Sequence, residues 1–232
     1  MNVLVIDIGG SHVKLCATTC DAPVRWGSRP DLTPDDLVQQ VRRRTSGWKY
    51  EVISLGYPGR VESAGPVAEP GNLGQGWVGF NFEEAFGKPV RVVNDAAMQA
   101  LGGYDGGRML FLGLGTGLGS ALIAERVVVP LELGDLTHQS GVTLGERLGK
   151  AGLAWLGEES WRKEVAQATQ MLRSAFDADY ILLGGGNAAL VDPLPPDVRQ
   201  GGNEDAFVGG FRLWEELVEP HDRRPSTAWR VL

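Results

Sequence analysis

The sequence predicts an α/β protein of two related halves with a cleft between them, and three observations carry that prediction. Apolar, β-branched runs alternate with segments of helical period along the 232 residues. Each half opens on a strand, a glycine turn and a second strand: Val3 to Ile8, Gly9-Gly10 and Val13 to Thr18, then Met109 to Leu114, Gly115 to Gly119 and Ser120 to Ala124. The 33 glycines gather in such runs, Gly184-Gly185-Gly186 among them, which marks defined backbone turns rather than linker.

Between these units the elements follow in order. Thr33-Pro34-Asp35-Asp36 supplies an N-cap, a first-turn proline and acidic residues ahead of Leu37, Val38 and Val41, so a helix runs from about 34 to 45. Its Arg42-Arg43-Arg44 reads as a solvated helix end, with a patch for a phosphate chain as the alternative. Val52 to Gly56 is a buried strand closed by the turn Tyr57-Pro58-Gly59. Val90 to Val93 is a short strand running into the helical Asn94 to Leu101, which puts Asn94-Asp95 at a strand end and helix start. The glycine-rich Gly102 to Gly107 places a lobe boundary near 105, giving lobes over 1–105 and 106–232. Glu158 to Phe176 has apolar residues at helical spacing, Tyr180 to Leu183 is a strand, and a last helix over about 205 to 218, expected to pack back on the first lobe, precedes a polar tail.

Composition excludes several classes. Apolar residues at 43% and charged residues at 22% are ordinary globular usage, so neither a disordered nor a membrane protein is indicated. The N-terminal run lacks a basic leader and is broken by Asp7, which predicts no signal peptide, no membrane partner and a cytoplasmic location. Cys16 and Cys20 are expected to be reduced, and two cysteines build no cysteine metal cluster. A formal charge of −7 argues against a nucleic-acid partner.

Chemistry concentrates at three places. Phosphate is held by backbone N–H groups where glycine lets the chain approach an oxyanion. Asp7-Ile8-Gly9-Gly10-Ser11-His12-Val13-Lys14 combines a carboxylate, two glycines and a hydroxyl, a station for a magnesium-bound phosphate, and Leu114-Gly115-Thr116-Gly117-Leu118-Gly119-Ser120 is a second such loop. Neither has the Walker lysine ending or a dinucleotide-binding context. Each loop alone is a weak signal; together with Asn94-Asp95 they become specific.

These segments resemble the ROK sugar kinases of the actin and hexokinase superfamily. The two glycine loops are similar to the family's two phosphate motifs, Val92-Val93-Asn94-Asp95-Ala96 to its catalytic strand end, Glu132-Leu133-Gly134 to the start of its Glu-x-Gly-His sugar motif, and Leu183-Gly184-Gly185-Gly186-Asn187 to its nucleotide-side turn. The match runs through residues 1 to about 215, and Trp77-Val78-Gly79 and Leu131-Glu132-Leu133-Gly134 bring it nearest the short polyphosphate glucokinases.

The resemblance implies two RNase H-like (actin-like ATPase) lobes and a glucokinase that uses polyphosphate or ATP with Mg2+. It implies Asp95 as general base, Asp7 orienting magnesium through water, and phosphate contacts from Asp7, Gly9, Gly10, Ser11, Lys14, Gly115, Thr116, Gly117, Gly184, Gly185 and Gly186. Asn72, Asn94, Asp95, Glu132, Asp135 and Glu146 would hold the sugar. Asp135 stands where the family has histidine, so no zinc is expected, and His138 is the candidate substitute. A homodimer is open. Rival readings are a sugar-sensing module, for which relatives carry an N-terminal helix-turn-helix ahead of a strand that here begins at Val3, an inactive kinase, and an actin-like ATPase, for which the chain is short.

Overall fold

In the computed structural model, residues 1–20, 22–125, 127–137, 141–202 and 204–215 and the backbone of 229–230 are described. His138 and residues 216–218 lie outside them. The first half consists of β1 (Val3–Ile8), β2 (His12–Ala17), β3 (Val24–Gly27), α1 (Pro34–Arg44), β4 (Val52–Tyr57), the small hairpin β5 (Val61–Glu62) and β6 (Gly65–Pro66), α2 (Phe82–Phe86), β7 (Val90–Asn94) and α3 (Asp95–Gly103). The second consists of β8 (Met109–Leu114), β9 (Leu118–Ala124), β10 (Val127–Leu131), α4 (Leu144–Leu148), α5 (Lys150–Leu156), α6 (Glu158–Ala175), β11 (Tyr180–Gly184), β12 (Val198–Gln200), α7 (Asp205–Arg212) and β13 (Trp229–Arg230).

The two sheets repeat one plan. Strand order is β3-β2-β1-β4-β7 in the first and β12-β11-β8-β9-β10-β13 in the second. β1 lies antiparallel to β2 and parallel to β4, as β8 lies antiparallel to β9 and parallel to β11. Each glycine loop is therefore the turn of a central hairpin, and it opens at the edge where the parallel strands end.

Strand alternation sorts the side chains into three cores. In β1, Val3 and Val5 face inward to α3 and α7, while Leu4, Ile6 and Ile8 face outward to α1. In β8, Met109 and Phe111 face the same inner layer, and Leu110, Leu112 and Leu114 pack outward against α6. Both faces of each central strand are covered, which is why these strands read as continuous apolar runs. The inner layer ties the halves together: α3 lies against α7, and α7 lies against β1. Glycine permits that approach, since a Cβ on Gly209 would sit 1.8 Å from the Met98 carbonyl oxygen. Ser54 of β4 donates to the Gly210 carbonyl and accepts from the Trp214 indole at 2.9 Å.

Local caps follow the sequence signals. Thr33 and Asp36 close a capping box on α1. At its other end Arg42 donates to the Ala85 carbonyl, and Arg44 bonds Gln40 and lies over the Trp26 ring. Two of the three arginines are thus committed within the first lobe. Among the described residues no helix is long and apolar enough to cross a membrane.

Candidate active site

Asp95 is placed by a strand that ends and a helix that begins on it. Parallel pairing carries β7 to Asn94, level with Tyr57 of β4. Asn94 then caps α3, its Oδ1 accepting the Ala97 N–H at 3.0 Å while its Nδ2 donates to the Gly59 carbonyl at 3.2 Å. Buried and bonded at both ends of its amide, Asn94 serves the fold first and keeps one amide hydrogen for a ligand. The Asp95 carboxylate accepts the Ala96 N–H at 2.8 Å.

The residue is half-buried. Burial above all, then the charge of Asp7 and more weakly that of Glu132, pushes its pKa up to about 7 against the bond from Ala96. Three carboxylates from β1, the start of α3 and the segment after β10 thus share one field.

Asp7 lies on the inner face of β1 paired with Lys14 of β2, whose ammonium donates to Oδ2 at 3.0 Å. Asp7 is 1% exposed, and its Oδ1 is buried without a hydrogen-bond partner among the described residues. An orphaned carboxylate oxygen beside the first glycine loop fits a hydrated magnesium ion, whose waters would satisfy it. Among the described residues no group of three or more His, Cys, Asp or Glu is arranged to hold a metal directly.

The glycine loops commit only part of their amides to the fold. In the first, Gly9 donates its N–H to the His12 carbonyl at 2.9 Å, so it closes the turn; those of Gly10 and Ser11 make no backbone hydrogen bond among the described residues. In the second, Gly115 N–H goes to the Gly117 carbonyl at 3.1 Å, while the Gly115 and Thr116 carbonyls accept Lys150 N–H at 3.0 and 3.3 Å. A trans peptide points its N–H opposite its carbonyl, so the N–H groups of Thr116 and Gly117 face away from Lys150. Of the expected phosphate donors, Gly9 and Gly115 therefore shape the loops, and the N–H groups of Gly10, Ser11, Thr116 and Gly117 have no backbone partner among the described residues.

The loops meet at Gly10. The point where a Cβ on Gly10 would stand lies 2.8 Å from Asn72 Nδ2 and 2.9 Å from Thr116 Oγ1. The glycine turn after β11 reaches the second loop through Asn187, whose N–H donates to the Leu114 carbonyl at 2.9 Å and whose Nδ2 donates to that of Gly115 at 3.4 Å. Gly184 is buried at the end of β11, and Gly185 (φ 81°) and Gly186 are exposed.

Glu132 is held by a residue that the sequence argument named only as the end of the second glycine loop. Buried Ser120 donates to the Leu131 carbonyl at 2.9 Å and accepts the Leu133 N–H at 3.1 Å, clamping the chain on both sides of Glu132. A lone hydroxyl in the apolar alternation of β9 was the signal. Desolvation and then Asp135 raise the Glu132 pKa, and Arg60 opposes them, although part of Glu132 stays exposed. Asp135 is exposed in the 3-10 turn Leu133–Asp135. Glu146 stands apart in role: its carboxylate accepts the Thr143 N–H at 2.8 Å in a capping box on α4. Thr143-x-x-Glu146 is the sequence signature of that box.

No family model matches the chain. Polyphosphate glucokinase from Mycobacterium tuberculosis is 27% identical over 214 residues, covering 82% of this chain and 80% of that protein. The crystal structure of inorganic polyphosphate/ATP-glucomannokinase from Arthrobacter sp. strain KM superposes with a TM-score of 0.77 at 22% identity, over 90% of this chain and 96% of that one. The fold is that of the ROK sugar kinases. A ROK family glucokinase from Streptomyces griseus, solved with glucose and AMPPNP, gives a TM-score of 0.70 at 20% identity over 92% and 99% of the two chains. The bilobal ROK fold accounts for the repeated sheet plan and for the cleft that both glycine loops border.

Proposed function

We propose that this ROK-fold protein is a hexose kinase that transfers a phosphoryl group from polyphosphate or ATP to a hydroxyl of glucose, with Asp95 as general base. The observation that carries the reading is the Asp95 carboxylate, buried within the field of Asp7 and Glu132 and raised to a pKa of about 7. A base of that strength takes a hydroxyl proton near neutral pH and returns it readily.

Phosphoryl transfer asks little covalent chemistry of the protein, so positioning and charge neutralisation supply most of the rate. The N–H groups of Gly10, Ser11, Thr116 and Gly117 and the hydroxyl of Thr116 hold donor oxygens. Asp7 would hold magnesium through water, and a bound magnesium ion neutralises donor charge. Glu132 and the remaining Asn94 hydrogen hold sugar hydroxyls, and Asp135 faces that edge. The named relatives favour polyphosphate as donor. The commitment of Arg42 and Arg44 to the first lobe weakens the case for a polyanion track there. Small-molecule substrates and a cytoplasmic setting follow from the same reading.

The test is glucose phosphorylation by the purified chain with magnesium and either ATP or polyphosphate. Turnover with at least one donor supports the reading, with polyphosphate the expected one. No turnover with either donor across several hexoses overturns it in favour of a sugar-sensing protein.

A further inference from the structure

The two cysteines of the chain meet at the end of β2, on the opposite side of the β1–β2 hairpin from its glycine loop. Cys16 stands on β2 opposite Val5, and its side chain packs against the inner layer that α3 and α7 share. Cys20 follows a turn that its own N–H closes on the Ala17 carbonyl at 3.0 Å, and its side chain packs against the outer core. Both are free thiols, and their Sγ atoms are 3.1 Å apart. Ala17 donates its N–H to Cys20 Sγ at 3.1 Å, which holds that sulfur against Cys16. A disulfide bond is about 2 Å long, so about 1 Å of movement would close one here.

The two thiols differ in access. Cys20 lines an open recess of about 450 Å³ with Thr19, Ala22, Gly47, Trp48 and Lys49, and Cys16 does not. The recess has room for a small molecule, and Lys49 gives it a positive charge that favours one carrying carboxylates. Burial first, then the hydrogen bond and charge of Cys20 and the charge of Glu204, push the Cys16 pKa up to about 12. An entering oxidant therefore meets Cys20, with Cys16 as the inner partner behind it.

We propose that Cys16 and Cys20 form a thiol–disulfide exchange site, in which a low-molecular-weight disulfide bearing carboxylates enters the recess and closes the pair to a reversible disulfide. Cys20 loses its proton to water and its sulfur attacks one sulfur of the oxidant, whose other half leaves as a thiolate. Cys16 then gives up its proton, and its sulfur attacks Cys20 Sγ across the short gap and expels the second half. The chain loses two protons and two electrons, and the oxidant is reduced to two thiols. The site stands apart from the cleft, so the inference goes beyond the kinase reading and does not depend on it.

The test treats the reduced full-length chain with excess glutathione disulfide, blocks remaining thiols with N-ethylmaleimide at timed intervals, and reads the intact mass. The wild type should lose two hydrogen atoms, keep no thiol open to N-ethylmaleimide and carry no glutathionyl group, and dithiothreitol should restore both thiols. Cys16→Ser lacks the second thiol and should stop with one glutathionyl group on Cys20. Cys20→Ser keeps only the inner thiol and should react at least about tenfold more slowly than Cys16→Ser, since exchange follows access and thiolate fraction. A wild-type chain that accumulates glutathionyl groups, links to a second copy through a disulfide or keeps both thiols would overturn the proposal. Equal rates in the two single variants would remove Cys20 as the point of entry and overturn it as well. None of these readouts needs turnover, so a chain that phosphorylates no hexose loses the kinase reading and leaves this test intact.

Discussion

The first glycine loop, between β1 and β2, is bordered by charge, whereas the second, between β8 and β9, is shaped by backbone. Asp7 and Lys14 pair across the strands that flank the first, and an orphaned carboxylate oxygen lies beside it. At the same register in the second half stand Gly113 and Gly119, and the loop is held by N–H groups of Lys150 and Asn187 on its carbonyls. One hairpin plan thus supplies electrostatics in one lobe and a preorganised set of amides in the other. Substitutions in the first loop should change ionic requirements, and those in the second should change donor binding through loop shape.

The largest effect is expected where both loops deliver their substrate. Asp95→Asn should lower kcat by roughly 10²–10⁴, the share of a positioned base, with glucose affinity little changed. Near-normal turnover would remove Asp95 from the reaction. Next comes the junction of the loops. A side chain on Gly10 would meet Asn72 and Thr116 at under 3 Å, so Gly10→Val should cost about 10²-fold in kcat/KM, as misplacement of reacting groups does.

The contrast is sharpened by Asp7→Asn and Gly149→Ala. Asp7→Asn should raise the magnesium concentration needed for half-maximal rate by about 10–100-fold, the usual loss when an outer-sphere metal partner is removed. A Cβ on Gly149 would press on the Thr116 carbonyl at 2.6 Å, so Gly149→Ala should raise the KM for the phosphoryl donor and leave the magnesium requirement alone. Identical magnesium titrations of the two variants would erase the distinction between the loops. The smallest effect belongs to Glu146→Ala, which removes a helix cap worth about 1 kcal/mol and should lower Tm by about 2–4 °C without changing the KM for glucose. A higher KM for glucose with an unchanged Tm would instead place Glu146 on the sugar.

Much of this was legible in the residues because the signals are local. Continuous apolar, β-branched runs placed β1, β4 and β8, Thr33-Pro34 placed α1, and Asn94-Asp95 at a strand end placed the carboxylate. What escaped depends on partners distant in sequence. Gly102 reads as the start of a glycine-rich boundary and Gly209 falls inside the expected last helix, and only the packing of α3 on α7 explains either, since a Cβ on each would meet backbone at 1.8 Å. The hold on the second loop's carbonyls turns on Lys150, which carries no motif. Asn72 has no local signal for its neighbours, because Gly10 and Thr116 reach it from two different strand ends. Glu146 was readable as a cap from Thr143, and the family likeness drew the reading toward sugar instead.

The account rests most heavily on the state of Asp95, and the pH dependence of kcat/KM for glucose tests it directly. This parameter reports the ionisation of the free protein. A carboxylate raised to about 7 is protonated below that pH and cannot accept the hydroxyl proton, so kcat/KM should fall about tenfold per pH unit on the acid side of 7. The acid limb should vanish in the residual activity of Asp95→Asn. A wild-type profile that stays flat down to about pH 5, as an ordinary aspartate with a pKa near 3.9 would give, contradicts the assignment of Asp95 as the buried base.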